Sequence, residues 1–261
     1  MSNKVIPILA VLLLVGSAAA WYWWARIAPS VPLEQVGTPV PGETAPPSSM
    51  TSGAATAGLP ALPDSDSAFN AALLTLPGAE GLSNLLRTEN TIRRLVATVD
   101  NLPRHKLAVE LRPLESTGGS LLVTGGDQKA TLDEHNGARY TAAVAILGSL
   151  DMHAVNDVYR HYYPLFQRAY EDLGYPQKSF NDRLVAVIDH LLQTPRPARP
   201  LALLRPKVFW EFADPNLEAR SAGQKLMLRL GTENQAIVER KLRELRTLLA
   251  ARGGAPAPAG P

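Results

Sequence analysis

The chain has 261 residues, enough for one or two domains, and a formal charge of +2 from 26 basic and 24 acidic residues. So even a balance offers no overall field to draw in nucleic acid. Cysteine is absent, which excludes a disulfide framework, a thiolate metal site and a cysteine nucleophile.

Residues 1–4 lead into an uncharged apolar run, Val5 to Trp24. About 20 residues at ~1.5 Å rise cover about 30 Å, the thickness of the hydrocarbon layer. Trp21, Tyr22, Trp23 and Trp24 close the run as an aromatic belt at headgroup level. Residues 5–24 therefore read as one transmembrane helix whose partner is membrane lipid. Lys4 precedes the run, Arg26 follows it, and the next basic residue is Arg87. This bias places the amino terminus in the cytoplasm and the remainder outside, which in a Gram-negative cell means a single-pass inner-membrane protein with a periplasmic domain. A cleavable signal peptide ending near Ala18-Ala19-Ala20 is the rival reading, and it too exports the domain.

Residues 25–63 are rich in Pro, Ser, Thr, Gly and Ala and have too little apolar surface to offset the entropy of ordering, so they read as a disordered tether. Residues 253–261 form a similar tail. Between them, 64–252 carries the mixed apolar and polar pattern of one globular domain.

Within that domain the spacing predicts a helix from about Asp66 to Leu76, stopped by Pro77-Gly78, and a second from Ala79 to Val99. Two short runs, Ser120 to Thr124 and Lys129 to Leu132, flank Gly125-Gly126-Asp127 and predict a β-hairpin. Helices resume over Arg139 to Leu147 and Asp151 to Asp172, with a kink or break at Pro164. Ser179 caps the next helix, with Asp182 reaching back. Leu201 to Leu204 and Lys207 to Phe212 look extended. Asp214-Pro215 starts a helix; Ser221 to Gln224 and Thr232 to Gln235 are capping boxes separated by Gly231. The last helix carries Val238, Leu242, Leu245 and Leu249 on one stripe and a Glu239–Arg243 pair. The fold class is mainly α, with a small β element.

Several of these segments resemble a known family. They are Val99-Asp100-Asn101-Leu102-Pro103, Tyr163-Pro164-Leu165 with Ala169-Tyr170, Leu173-Gly174-Tyr175-Pro176, Phe180-Asn181-Asp182-Arg183-Leu184, Ile188-Asp189-His190-Leu191-Leu192, Phe212-Ala213-Asp214-Pro215 with Leu217-Glu218, and Ser221-Ala222-Gly223-Gln224-Lys225-Leu226. Together they are similar to the domain-of-unknown-function 3014 family of bacterial membrane-anchored proteins. The resemblance implies the location and extent of the domain and leaves its function open.

Among polar constellations, Asp182 and Asp189 are seven apart on one helical face, next to His190. As carboxylates with an imidazole they are candidates for acid/base chemistry, and as helix-start and ion-paired groups they are structural. No two of the five histidines have zinc-site spacing, and no nucleophile elbow or phosphate loop is present. No cofactor or metal is expected from these patterns. Tyr163 and Arg168 belong to an aromatic and basic cluster suited either to the core or to a binding groove. Ser221, Gln224 and Lys225 at a helix start suit a cap or an anion. From Arg196 to Arg252 bases outnumber acids, as a solvated face or as a contact for anionic lipid or an acidic partner. The expected function is a membrane-tethered periplasmic binding module for an envelope protein or glycan. The alternative is an envelope hydrolase using Asp182, Asp189 and His190.

Overall fold

The computed structural model describes residues 58–106, 112–116 and 119–250. The apolar run 5–24, most of the proline-rich stretch and the tail 253–261 lie outside them. The described residues are mainly helical, with one small antiparallel sheet.

Helix α1 (Asp66–Leu74) buries Phe69 and Leu73. The long helix expected from Ala79 to Val99 is instead two pieces. A 3-10 turn at Leu82–Asn84 comes first, and α2 (Thr91–Asn101) follows. The cause is local. Gly81 and Asn90 both take left-handed conformations, φ 87° and 52°, which end a right-handed helix at each point. The strand-like chain between them bonds outward, Arg87 N to Pro113 O at 2.8 Å and Glu115 N to Leu85 O at 2.8 Å. No side chain of Asn90 caps α2. Asp66 does so from α1, accepting the Thr91 N–H at 2.8 Å.

The expected hairpin forms as β1 (Val123–Gly125) and β2 (Lys129–Leu132) and is half of a larger sheet. The two extended segments further along become β3 (Ala202–Leu204) and β4 (Glu211–Phe212), giving the order β1-β2-β3-β4, antiparallel throughout. Ala130, Leu203 and Phe212 stand in register and are buried. Lys129, Leu204 and Glu211 occupy the exposed face. Behind the sheet Leu132, Leu201, Leu203, Phe212, Leu217 and Leu228 form a second apolar cluster.

The remaining helices are α3 (Ala138–Ser149), α4 (Met152–His161), α5 (Tyr163–Asp172), α6 (Phe180–Leu192), α7 (Pro215–Glu218), α8 (Ala222–Arg229) and α9 (Thr232–Ala250). The break at Pro164 is real: α4 ends, Tyr162 leaves helical geometry, and Pro164 falls in the first turn of α5, where its missing N–H has no helical partner to lose. The main core joins all the longer helices. At its centre Phe69 meets Tyr162 and Phe166 edge-on, with centroids 5.1 and 5.6 Å apart, and Phe166 stacks on Phe180 at 5.7 Å. Tyr159, Tyr162 and Tyr170 are therefore core residues. Helix α9 packs on α3, α4 and α6 through the expected stripe, Val238, Leu242, Leu245 and Leu249.

Candidate functional site

The groove of interest lies where the end of α6 meets the start of α8. Ser221 caps α8, its Oγ accepting the Gln224 N–H at 3.2 Å. The Gln224 side chain does not reach back to Ser221. Its Nε2 donates to the His190 backbone oxygen at 3.0 Å, adding to the Gln193 N–H that this carbonyl accepts at the end of α6. The Ser221 hydroxyl also lies 2.8 Å from His190 Nε2. With one proton and a second lone pair beside the one taken by Gln224, the Ser221 hydroxyl can serve either tautomer of a neutral His190 ring. Burial, helped by the charges of Arg183 and Arg220, lowers the His190 pKa below 6.5 and favours that neutral form.

The floor of the groove is the turn after α2. Ala222 N donates to Arg104 O at 2.7 Å and Gly223 N to Leu102 O at 3.0 Å. So close an approach requires Gly223, because a Cβ there would sit 3.1 Å from Leu102 O and 2.6 Å from Leu191 Cδ2. The resulting open groove, about 480 Å³, is lined by Pro103, His105, His190, Asn216, Arg220 and Gln224, with Ser221 between them. Among the described residues no acidic side chain lines it. Arg220 has no ion pair or side-chain hydrogen bond among the described residues, whereas most arginines nearby are paired.

The residues singled out in the sequence are distributed as follows. Asp189 is ion-paired with Arg246 of α9, Oδ2 to Nη2 at 3.0 Å, with a second contact from Nε. Asp182 is exposed, and its charge bears on buried Tyr159 rather than on His190. Asp182, Asp189 and His190 are thus not gathered. Tyr163 hydrogen-bonds Gln167 at 3.2 Å, and Arg168 pairs with Asp172 at 3.2 Å. Lys225 is buried, its Nζ donating to Glu218 Oε1 at 2.7 Å and to Glu218 O at 3.2 Å. The first N–H groups of α8 are taken up by Arg104, Leu102 and Ser221. An anion at that helix start would find no free amide and no free Lys225, so the cap reading is the one the geometry supports there. Of the binding set, only Ser221 and Gln224 face the groove.

His105 and Asn216 carry no signal of a site in the sequence, and Arg220 is marked there only as one of the bases between Arg196 and Arg252. Nothing local brings them together: they come from two chain segments that meet only through the docking of α8 on the 102–104 turn. Among the described residues no group of three or more His, Asp or Glu side chains is placed to hold a metal ion.

Three of the seven segments that carry the family resemblance meet at the groove. Leu102 and Pro103, His190, and Ser221 to Gln224 come from them and form one wall of the groove. Residues 91–246, more than half of the chain, match the family described as "Protein of unknown function (DUF3014)". The chain belongs to this family. The DUF3014 match runs from the first residue of α2 into α9 and takes in the whole groove, while α1 lies before it. No curated protein and no solved structure matches the chain.

Proposed function

We propose that this DUF3014 protein is a membrane-tethered binding module. Residues 5–24 hold it in the inner membrane, the stretch from there to residue 58 acts as a leash (the expected tether ends short of 63, because Leu59 and Leu62 pack on the core), and the periplasmic domain takes up an anionic group of an envelope protein or glycan in the groove beside His190. The observation that carries this reading is Arg220, a cation that among the described residues has no counter-ion and stands in an open groove lined by no carboxylate. A guanidinium presents paired donors that fit a carboxylate or a phosphate, and Asn216 and the exposed ring of His105 add polar edges beside it. A leash raises the effective concentration of such a module near the membrane, so weak binding suffices. The hydrolase alternative receives less support, because Asp189 is committed to Arg246 and Asp182 faces solvent away from His190.

Among the described residues no helix is long and apolar enough to cross a membrane, and the anchor rests on the sequence of Val5 to Trp24. A periplasm-active reporter fused after Arg252 tests the topology; activity only for a cytoplasmic reporter would refute it. For the groove, in-cell photocrosslinking from position 216 should trap an envelope component in the native chain and lose most of it in Arg220→Glu. Equal capture by both chains would remove the groove from the reading.

A further inference from the structure

The small sheet ends in a loop whose surface is unlike the rest of the domain. Between β3 and β4 the chain reads Arg205-Pro206-Lys207-Val208-Phe209-Trp210. Val208 and Phe209 are 49% and 47% exposed, the two most exposed large apolar side chains among the described residues, and Leu204 at the end of β3 is 38% exposed. Trp210 packs partly on the apolar cluster behind the sheet, with the Arg205 guanidinium 5.7 Å from its ring centre. Arg205 also ties the loop down, Nε donating to Val208 O at 3.0 Å, while Arg205 N bonds to Gln128 O at 2.9 Å. The β1–β2 turn therefore stands beside this loop at the same end of the sheet. Lys129, Arg205 and Lys207 face solvent there against Asp127 and Glu211.

A soluble surface that presents neighbouring apolar side chains within basic ones is unfavourable in water and suited to the boundary between headgroups and acyl chains. Tryptophan and arginine behind the tip have the amphipathic character of groups that settle at that level. We propose that the β3–β4 loop is a membrane-contacting element that inserts Val208 and Phe209 among anionic lipid headgroups. The chain outside the structure supports this occupant. From the end of the apolar run to residue 58 is a leash that reaches at most about 100 Å at ~3.1 Å per residue. A domain of this size has a radius of gyration near 16 Å. The leash thus allows the sheet end to turn onto the bilayer while holding the domain close to it. Lys207 lies at the tip and Arg205 at its base, so bilayer charge is matched where contact is made. Docking by this loop fixes the orientation of the domain, a role separate from ligand capture in the groove.

The inference rests on the anchored reading, and one experiment separates them. The native chain has no cysteine, so Val208→Cys accepts a single nitroxide. The full chain carrying it is reconstituted in nanodiscs of phosphatidylcholine with or without phosphatidylglycerol. Asp157→Cys, on the exposed face of α4, is the aqueous control. Contact appears as high accessibility of the label to oxygen and low accessibility to a water-soluble nickel chelate, in the anionic discs above all. Lys207→Gln in the same background should lower the docked-to-free ratio about fivefold, the effect of one surface charge. A label as wet as that at position 157 in both lipids overturns the proposal while leaving the anchor intact. Release of the whole chain from the discs removes anchor and loop contact together. Shielding that ignores lipid charge and comes with nitroxide–nitroxide coupling assigns the loop to a second copy of the chain and also overturns it.

Discussion

Arg183 on α6 holds Asp100 at the end of α2 in two places, Nε donating to Oδ1 at 3.0 Å and Nη2 to the backbone oxygen at 2.7 Å. Asp100 has only 4% of its side chain exposed, and Arg104 adds a third donor at 2.6 Å. A carboxylate so removed from water is tolerable only with such partners. Replacing Arg183 by Ala should cost about 3 kcal/mol, the lower end for a broken buried pair. Urea denaturation of the full chain reads it as a lower midpoint at unchanged slope. A midpoint equal to that of the native chain would mean that Arg104 and the Tyr175 hydroxyl satisfy Asp100 without Arg183.

Ser221→Ala removes both the α8 cap and the hydrogen-bond partner of His190 Nε2. A lost cap costs about 1 kcal/mol, and α8 is also the wall of the groove. Burial is the main cause of the lowered His190 pKa, and losing the cap loosens the start of α8 against the ring, so the pKa should rise back toward 6.5. An NMR titration of the imidazole protons checks this; an unmoved titration would show that the ring's burial and the charges of Arg183 and Arg220 hold the value without the cap.

His190 also makes stability depend on pH. Its folded pKa lies below the unfolded value of about 6.5, so the unfolded chain binds more protons in the interval between them. Stability from this group is complete above pH 6.5 and is lost as pH falls through the folded pKa. His190→Gln should flatten that portion of the curve between pH 7 and 5 and leave the alkaline side unchanged. Urea midpoints measured across this interval decide it, and an identical slope in native and variant chains would assign the loss to other groups.

Gly223→Ala forces a methyl group toward Leu102 O and Leu191 Cδ2. The leucine tip can rotate, but the backbone carbonyl can yield only by moving the 102–104 turn, so about 1–2 kcal/mol should be lost. Ligand capture by the groove should fall in parallel, because its two walls separate. Unchanged capture with reduced stability would place the ligand elsewhere.

How far the sequence discloses this structure depends on the range of the interaction concerned. Ser179, Asp214 and Ser221 cap the helices that follow them because each side-chain oxygen bonds an N–H two or three residues on. The stripe of α9 and the break at Pro164 are equally local. By contrast, apolar spacing alone extends a helix through Leu82, Leu85 and Leu86, where Asn90 and the pairing with Leu114 interrupt it. The second partner of β2 is some 70 residues away in β3, so the extended segments at 201–204 and 207–212 are legible but their pairing with the hairpin is not. The groove is the extreme case. His190 and Ser221 are visible as polar residues, but nothing in their spacing says that they touch, or that Asp189 turns to Arg246 instead.

The cap that Asp66 places on Thr91 has a practical bearing on where this molecule can be cut. A fragment trimmed to the family span would begin at Thr91 and lack both that carboxylate and Phe69, which lies under Tyr162 and Phe166. Its opening turn would fray, and an oily hollow would be left uncovered beneath α5. Cooperative folding thus starts upstream of the homology boundary, and clones shortened to that boundary should be sticky and poorly behaved.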